Sequence, residues 1–186
     1  MGPMRPTAAC WLFFLALLPG CGPKRPREDP SDIRPIEVNG PRIDFPRRGF
    51  SVEVPQGWLK GEGDKFVRLQ SPSSDPDQYA ITVNILAEPI PEYVRTNEEY
   101  IEMGMELMRA SFEDFHLLGS APDRISDTPA IASLFSHKDK GQDLKVLSYA
   151  FLAGGRGYII SCRSSADDFP RYRELFAGVA KSVRLR

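Results

Sequence analysis

Phe50-Ser51-Val52-Glu53-Val54-Pro55-Gln56-Gly57-Trp58 is the stretch from which the fold is read. Phe50, Val52 and Val54 alternate with Ser51 and Glu53, the period of a strand with one face buried. Pro55 and Gly57 then turn the chain. Downstream, Lys65 to Gln70 is a second short strand. Tyr79, Ile81, Val83 and Ile85, alternating with Ala80, Thr82 and Asn84, make a third. Thr96 and Glu99 form a capping box that opens a helix to about Phe112. Ile101, Met105, Met108 and Phe112 lie in one apolar stripe of that helix, with Tyr100, Gly104 and Leu107 beside it. Gly104 is costly inside a helix and points to a close backbone approach. Three further strands are expected at about 130–137, 144–153 and 157–163, the last two joined by a turn at Gly154-Gly155-Arg156-Gly157. A second helix starts near Asp168, with Tyr172, Leu175, Phe176 and Val179 on one face, and Val183 and Leu185 end the chain in a short strand. The order β-β-β-α-β-β-β-α-β is that of an α+β domain, an antiparallel sheet with two helices packed on it.

The opening strand and turn resemble the start of PsbP-like domains. Gly157-Tyr158-Ile159-Ile160, followed by Asp168-Phe169, Tyr172, Phe176 and Lys181-Ser182, is similar to their closing strand and helix. The resemblance covers residues 44–186 and implies an α/β/α sandwich. That superfamily includes an extrinsic photosystem subunit, a Ran-binding import factor and bacterial lipoproteins of the DcrB type. It implies a protein that acts by binding, with no shared catalytic residues and no binding residue that transfers position by position. Function has to be argued from a site, because a fold alone does not specify it.

The N-terminus carries a separate signal. Arg5 precedes an unbroken apolar run from Ala8 to Leu18, which is the length of a signal-peptide core and well short of the roughly 20 residues a spanning helix needs. Pro19 and Gly20 end it. Leu18-Pro19-Gly20-Cys21 resembles a lipobox, which implies diacylglyceryl transfer to the Cys21 sulfur, cleavage before that residue and acylation of its amine, commonly by palmitate. The expected organisation is a signal peptide over 1–20, the lipidated Cys21 with a Pro-rich tether over 21–43, and a globular domain over 44–186. Pro23, Pro26, Pro30, Pro35 and Pro41 make that tether an extended, semi-rigid spacer, and its interleaved charges keep it solvated. The expected location is the bacterial cell envelope. In a two-membrane cell, Gly22 after the lipidated residue points to the outer membrane, facing the periplasm.

Composition narrows function further. A formal net charge of −1 argues against a nucleic-acid partner. The membrane is the partner expected through Cys21, and a protein partner of unknown identity is expected for the domain. Of the 3 cysteines, Cys10 lies in the leader, Cys21 takes the lipid, and Cys162 alternates with Tyr158 and Ile160 as a buried thiol. No metal or cofactor pattern is present: the 2 histidines, His116 at the end of the first helix and His137 at a strand end, have no ligand spacing or nucleophile beside them and fit turn or surface roles. Asp75 and Asp77 sit in a Ser/Pro-rich loop without the ligand count of a calcium site. Asp167 and Asp168 serve a helix N-terminus. Two readings remain: a non-catalytic binding module, or a carboxylate-dependent hydrolase using Asp75, Asp77, Asp167 or Asp168. No nucleophile–base set supports the second. An apolar groove beside the 97–112 helix would favour the first.

Overall fold

The structure, a computed structural model, describes residues 27–63, 65–72 and 80–186. The elements are β1 (Arg42–Phe45), β2 (Phe50–Glu53), β3 (Leu59–Glu62), β4 (Phe66–Gln70), β5 (Thr82–Pro89), α1 (Asn97–Ser111), β6 (Glu113–Ile125), β7 (Thr128–Asp139), β8 (Gln142–Ala153), β9 (Arg156–Ser165), α2 (Phe169–Lys181) and β10 (Arg184–Leu185). A seven-stranded sheet runs β3-β4-β5-β9-β8-β7-β6, and a smaller one runs β1-β2-β10. Every pairing is antiparallel. The α+β class with two packed helices is as expected, with the strands divided between two sheets.

The two faces of the large sheet carry different helices, and side-chain alternation decides which. Leu147, Tyr149 and Phe151 of β8 join Ile160 and Cys162 of β9 in the main core with Phe169, Phe176 and Val179 of α2. The intervening Val146 and Ala150 pack on the other face, against Met105 and Tyr100 of α1. The small sheet flanks α2, contributing Phe45, Phe50 and Val52 to the main core.

Three strands were not legible in the sequence. β3 (LKGE) is exposed along its length, so it shows no alternation. β1 is short and follows Pro41. β6 contains Asp114, Gly119, Pro122 and Asp123 and shifts register twice against β7. Such residues are tolerated because β6 is an edge strand, where one side of the ladder needs no donor. His116 therefore lies in β6, not at a helix end.

Residues 27–43 differ from a solvated spacer. They run over the domain as a strap, with Pro30 and Val38 buried. The Glu28 amide donates to the Leu118 carbonyl (3.2 Å) and the Ile36 amide to the Glu174 carbonyl (3.3 Å). Two glycines seat the strap: a methyl group on Gly119 of β6 would overlap the Glu28 carbonyl, and one on Gly178 of α2 would overlap that of Ile36. Extended Pro-rich backbone packs well once side chains are missing from the surface beneath it.

Candidate functional site

Helix α1 covers only part of its sheet face. Its N-terminus is held by the expected capping box, the Thr96 hydroxyl accepting from the Glu99 amide (3.1 Å) and the Glu99 carboxylate from the Thr96 amide (3.1 Å). The Asn97 side chain then pins the helix to the sheet, accepting from the Leu152 amide (2.9 Å) and donating to the Pro129 carbonyl (2.9 Å). Tyr100 lies over Gly157, where any side chain would strike its ring. Its hydroxyl donates to the Glu88 carboxylate (2.9 Å), and burial together with that carboxylate pushes the phenol well above its usual pKa. At the other end, Met105 is buried with Phe135 and Val146. The Phe112 ring stacks on His137 at 4.1 Å. The helix thus sits mainly on β7 and β8, reaches β5 and β9 through Tyr100 at its N-terminal end, and leaves β4 and the rest of β5 and β9 uncovered on that face.

The uncovered part is a groove of about 860 Å³. Phe66, Leu86 and Ile159 form apolar floor, and Met103, Leu107 and Met108 of α1 form the opposite wall. Leu107 is 69% exposed, whereas Met105 of the same helix is buried. Gly104 also lines the groove, and no heavy atom of another element lies within 4 Å of where its Cβ would be. The expected close backbone approach at Gly104 is therefore corrected: the missing side chain keeps the groove open. Methionine walls with a polarizable thioether and several rotors adapt to varied apolar shapes. The Met stripe is split, Met105 in the core and Met103 and Met108 on the groove.

The remaining sequence candidates do not converge. Cys162 is fully buried, its thiol 3.7 Å from the Phe176 carbonyl, and burial drives its pKa far up. His116 contacts the Asp114 carboxylate at 2.8 Å on the exposed edge strand. His137, expected at a strand end or surface, is buried beneath Phe112 with Nδ1 3.0 Å from the Lys138 carbonyl oxygen. Asp168 occupies the N-terminal position of α2, where it was expected, but its carboxylate accepts from the Ser165 hydroxyl (2.7 Å) and from no amide of the helix; Asp167 is exposed nearby. Asp75, Asp77, the lipobox residues Leu18, Pro19 and Gly20, and Cys21 lie outside the described residues. Among the described residues, no three His, Cys, Asp or Glu side chains are grouped so as to hold a metal. No described helix is long and apolar enough to cross a membrane.

A model of the family described as serine/threonine kinase C-terminal domain matches residues 46–185. The chain belongs to that family. The matched residues hold no His-Arg-Asp, and Asp168-Phe169 is followed by Pro170, so the motifs of a kinase catalytic core are not in them. No curated protein matches. Several solved structures share the fold. LpqN of Mycobacterium tuberculosis, described as involved in cell envelope biogenesis, is 11% identical with a TM-score of 0.60 over 88% of this chain and 99% of its own. The protein PA94 of Pseudomonas aeruginosa, a putative regulator of unknown function, is 14% identical with a TM-score of 0.59 over 78% and 96%. The cyanobacterial PsbP of Synechocystis sp. PCC 6803 is 12% identical with a TM-score of 0.56 over 78% and 92%. The domain has the PsbP-like fold that the residues around Trp58 and in α2 resembled.

Proposed function

We propose that this chain is a lipid-anchored protein of the bacterial cell envelope whose domain binds an apolar ligand or protein segment in the groove beside α1 and performs no chemistry. The groove carries this reading. It is a concave, largely apolar site with few polar groups, the usual form of a binding pocket. It is bounded by pliant methionines and kept open by a glycine that costs α1 helical stability. The leader over residues 1–20 and the lipobox ending at Cys21 supply the anchor. In a two-membrane cell, the outer membrane facing the periplasm is the proposed site. The envelope role of LpqN agrees with this reading.

The anchor is tested with Cys21→Ser in the full chain: incorporation of a fatty-acid analogue and pelleting with membranes are expected to be lost, and retention of both refutes lipidation. The groove is tested with Nile red, an apolar fluorophore. Its fluorescence is expected to rise on the Cys21→Ser protein and to fall to background with Gly104→Trp, which places an indole in the groove. Equal binding by both proteins refutes the reading.

A further inference from the structure

We propose that a cleft between the turn after β1 and the tip of the β8–β9 hairpin binds a phosphate group through the guanidinium groups of Arg47 and Arg156. It is a second site, separate from the groove beside α1 and on the opposite face of the large sheet. Ala87 in its wall and Tyr158 at its base belong to the core shared with α2.

Between β1 and β2 the chain makes a single 3-10 turn, Pro46-Arg47-Arg48, closed by Gly49 at φ 75°. That left-handed backbone favours glycine. A methyl group on Gly49 would also come 3.3 Å from the Tyr158 hydroxyl. The hairpin can therefore reach the turn. Arg156 donates from Nη1 to the Arg47 carbonyl (3.4 Å), and the Tyr158 hydroxyl donates to the Arg48 carbonyl (3.4 Å). Two hollows meet at this junction, of about 540 and 290 Å³, and Arg47 and Arg156 line both.

The charge of the cleft is unbalanced. Three arginines, Arg47, Arg48 and Arg156, line the larger hollow against one carboxylate, Glu62, an excess of two positive charges. Glu62 lies 3.9 Å from Nε of Arg48, which also donates to the Gly63 carbonyl. In the smaller hollow, Arg186 is paired with Asp44 at 2.5 Å. Arg47 and Arg156 are both exposed, and among the described residues no carboxylate is ion-paired with either. A hollow of about 330 Å³ beside the strap is different: it matches Arg27, Lys145 and Arg173 with Glu28, Asp29 and Asp32. The excess at Arg47 and Arg156 is thus local, in a chain whose formal net charge is −1.

Two such guanidinium groups at one concave place select phosphate over carboxylate. The fork of a single arginine meets both oxygens and the one charge of a carboxylate. A phosphate monoester carries close to two negative charges at neutral pH and three strong acceptor oxygens, enough to engage both arginines.

The test titrates inorganic phosphate into the full Cys21→Ser chain by calorimetry. Saturable binding is expected, weakened about tenfold by Arg47→Gln and by Arg156→Gln, the loss of one charge-assisted contact in each. Acetate at the same ionic strength is expected not to compete. Arg47→Gln leaves the main-chain carbonyl that Arg156 contacts, so an unchanged Tm in that variant separates loss of the site from unfolding. Arg109→Gln, which removes a positive charge from α1, and Gly104→Trp, which fills the groove, are both expected to bind phosphate like the parent. Sedimentation with phosphatidylcholine vesicles, with and without phosphatidic acid, distinguishes the source of the phosphate. Added pelleting that Arg47→Gln abolishes assigns it to a lipid headgroup, and phosphate binding without such pelleting assigns it to a soluble ester; either supports the proposal. No saturable binding of phosphate, binding untouched by both cleft variants, equal weakening by Arg109→Gln, or equal competition by acetate would each overturn it. Loss of phosphate binding in Gly104→Trp alone would move the site to the groove and overturn it as well.

Discussion

Replacing Gly178 and Gly104 by alanine, one at a time, asks the same helix-propensity question in two surroundings and has opposite expected answers. Each glycine lies inside a helix, where alanine is favoured by about 1 kcal/mol. At Gly104 the new methyl meets open groove, so the whole gain is expected as stability, a rise in Tm of about 2–4 °C for a body of this size. At Gly178 the methyl overlaps the Ile36 carbonyl oxygen and comes 3.4 Å from Cγ2 of Val38. The strap has to lift there. Lifting it breaks the hydrogen bond from the Ile36 amide to Glu174, worth about 1 kcal/mol. It also exposes Val38, now 7% accessible, at about 1.5–3 kcal/mol for full loss of burial. Set against the helical gain, Gly178→Ala is expected to lose about 1.5–3 kcal/mol. Urea unfolding followed by circular dichroism measures both variants against the parent. Cleavage by a glutamate-specific protease after Glu37 is expected to accelerate in Gly178→Ala and stay unchanged in Gly104→Ala. A Gly178→Ala protein as stable as Gly104→Ala, with the bond after Glu37 still protected, would refute the strap as a bound part of the domain.

Other expectations follow from buried groups. Cys162, with no exposed surface and a pKa raised by burial, is expected to resist a thiol reagent at pH 8 in the native protein and to react at once in urea; rapid native labelling would contradict its place under α2. Burial raises the folded pKa of Cys162 above its usual 9.0 and those of Tyr100 and Tyr149 above 10.0, so their stabilising contribution is complete below those values and is lost as pH rises through the higher folded ones. Stability in urea is accordingly expected to be flat from pH 7 to about 9 and to fall steadily above it, and a midpoint unchanged at pH 11 would contradict the burial of all three.

The α+β class, both helices and the strands at Phe50, Phe66, Thr82, Thr128, Gln142 and Arg156 were legible because each carries a local code. Alternation of apolar residues marks a strand buried on one face, and Thr96 with Glu99 satisfies helix-end amides whatever packs around them. The buried state of Cys162 followed from the same alternation. Local codes fail where burial is decided from outside the segment. Nothing in the residues of β6 or β3 marks a strand, because an edge strand borrows its order from one neighbour and shows solvent to the other side. His137 shows the same limit, since the ring that covers it comes from Phe112, at the end of another element.

The groove belongs to the tertiary structure alone. Leu86, Ile159, Met103 and Leu107 are ordinary apolar residues in sequence. They become a site because α1 is pinned at Asn97 and Met105 over β7 and β8, which leaves most of the neighbouring strands on the same face without a covering helix. Gly104 read as a place of close approach because a helical glycine signals missing volume. Sequence determines that volume is missing, and only the packing decides whether another backbone or open space fills it: backbone of the strap at Gly178, an empty groove at Gly104.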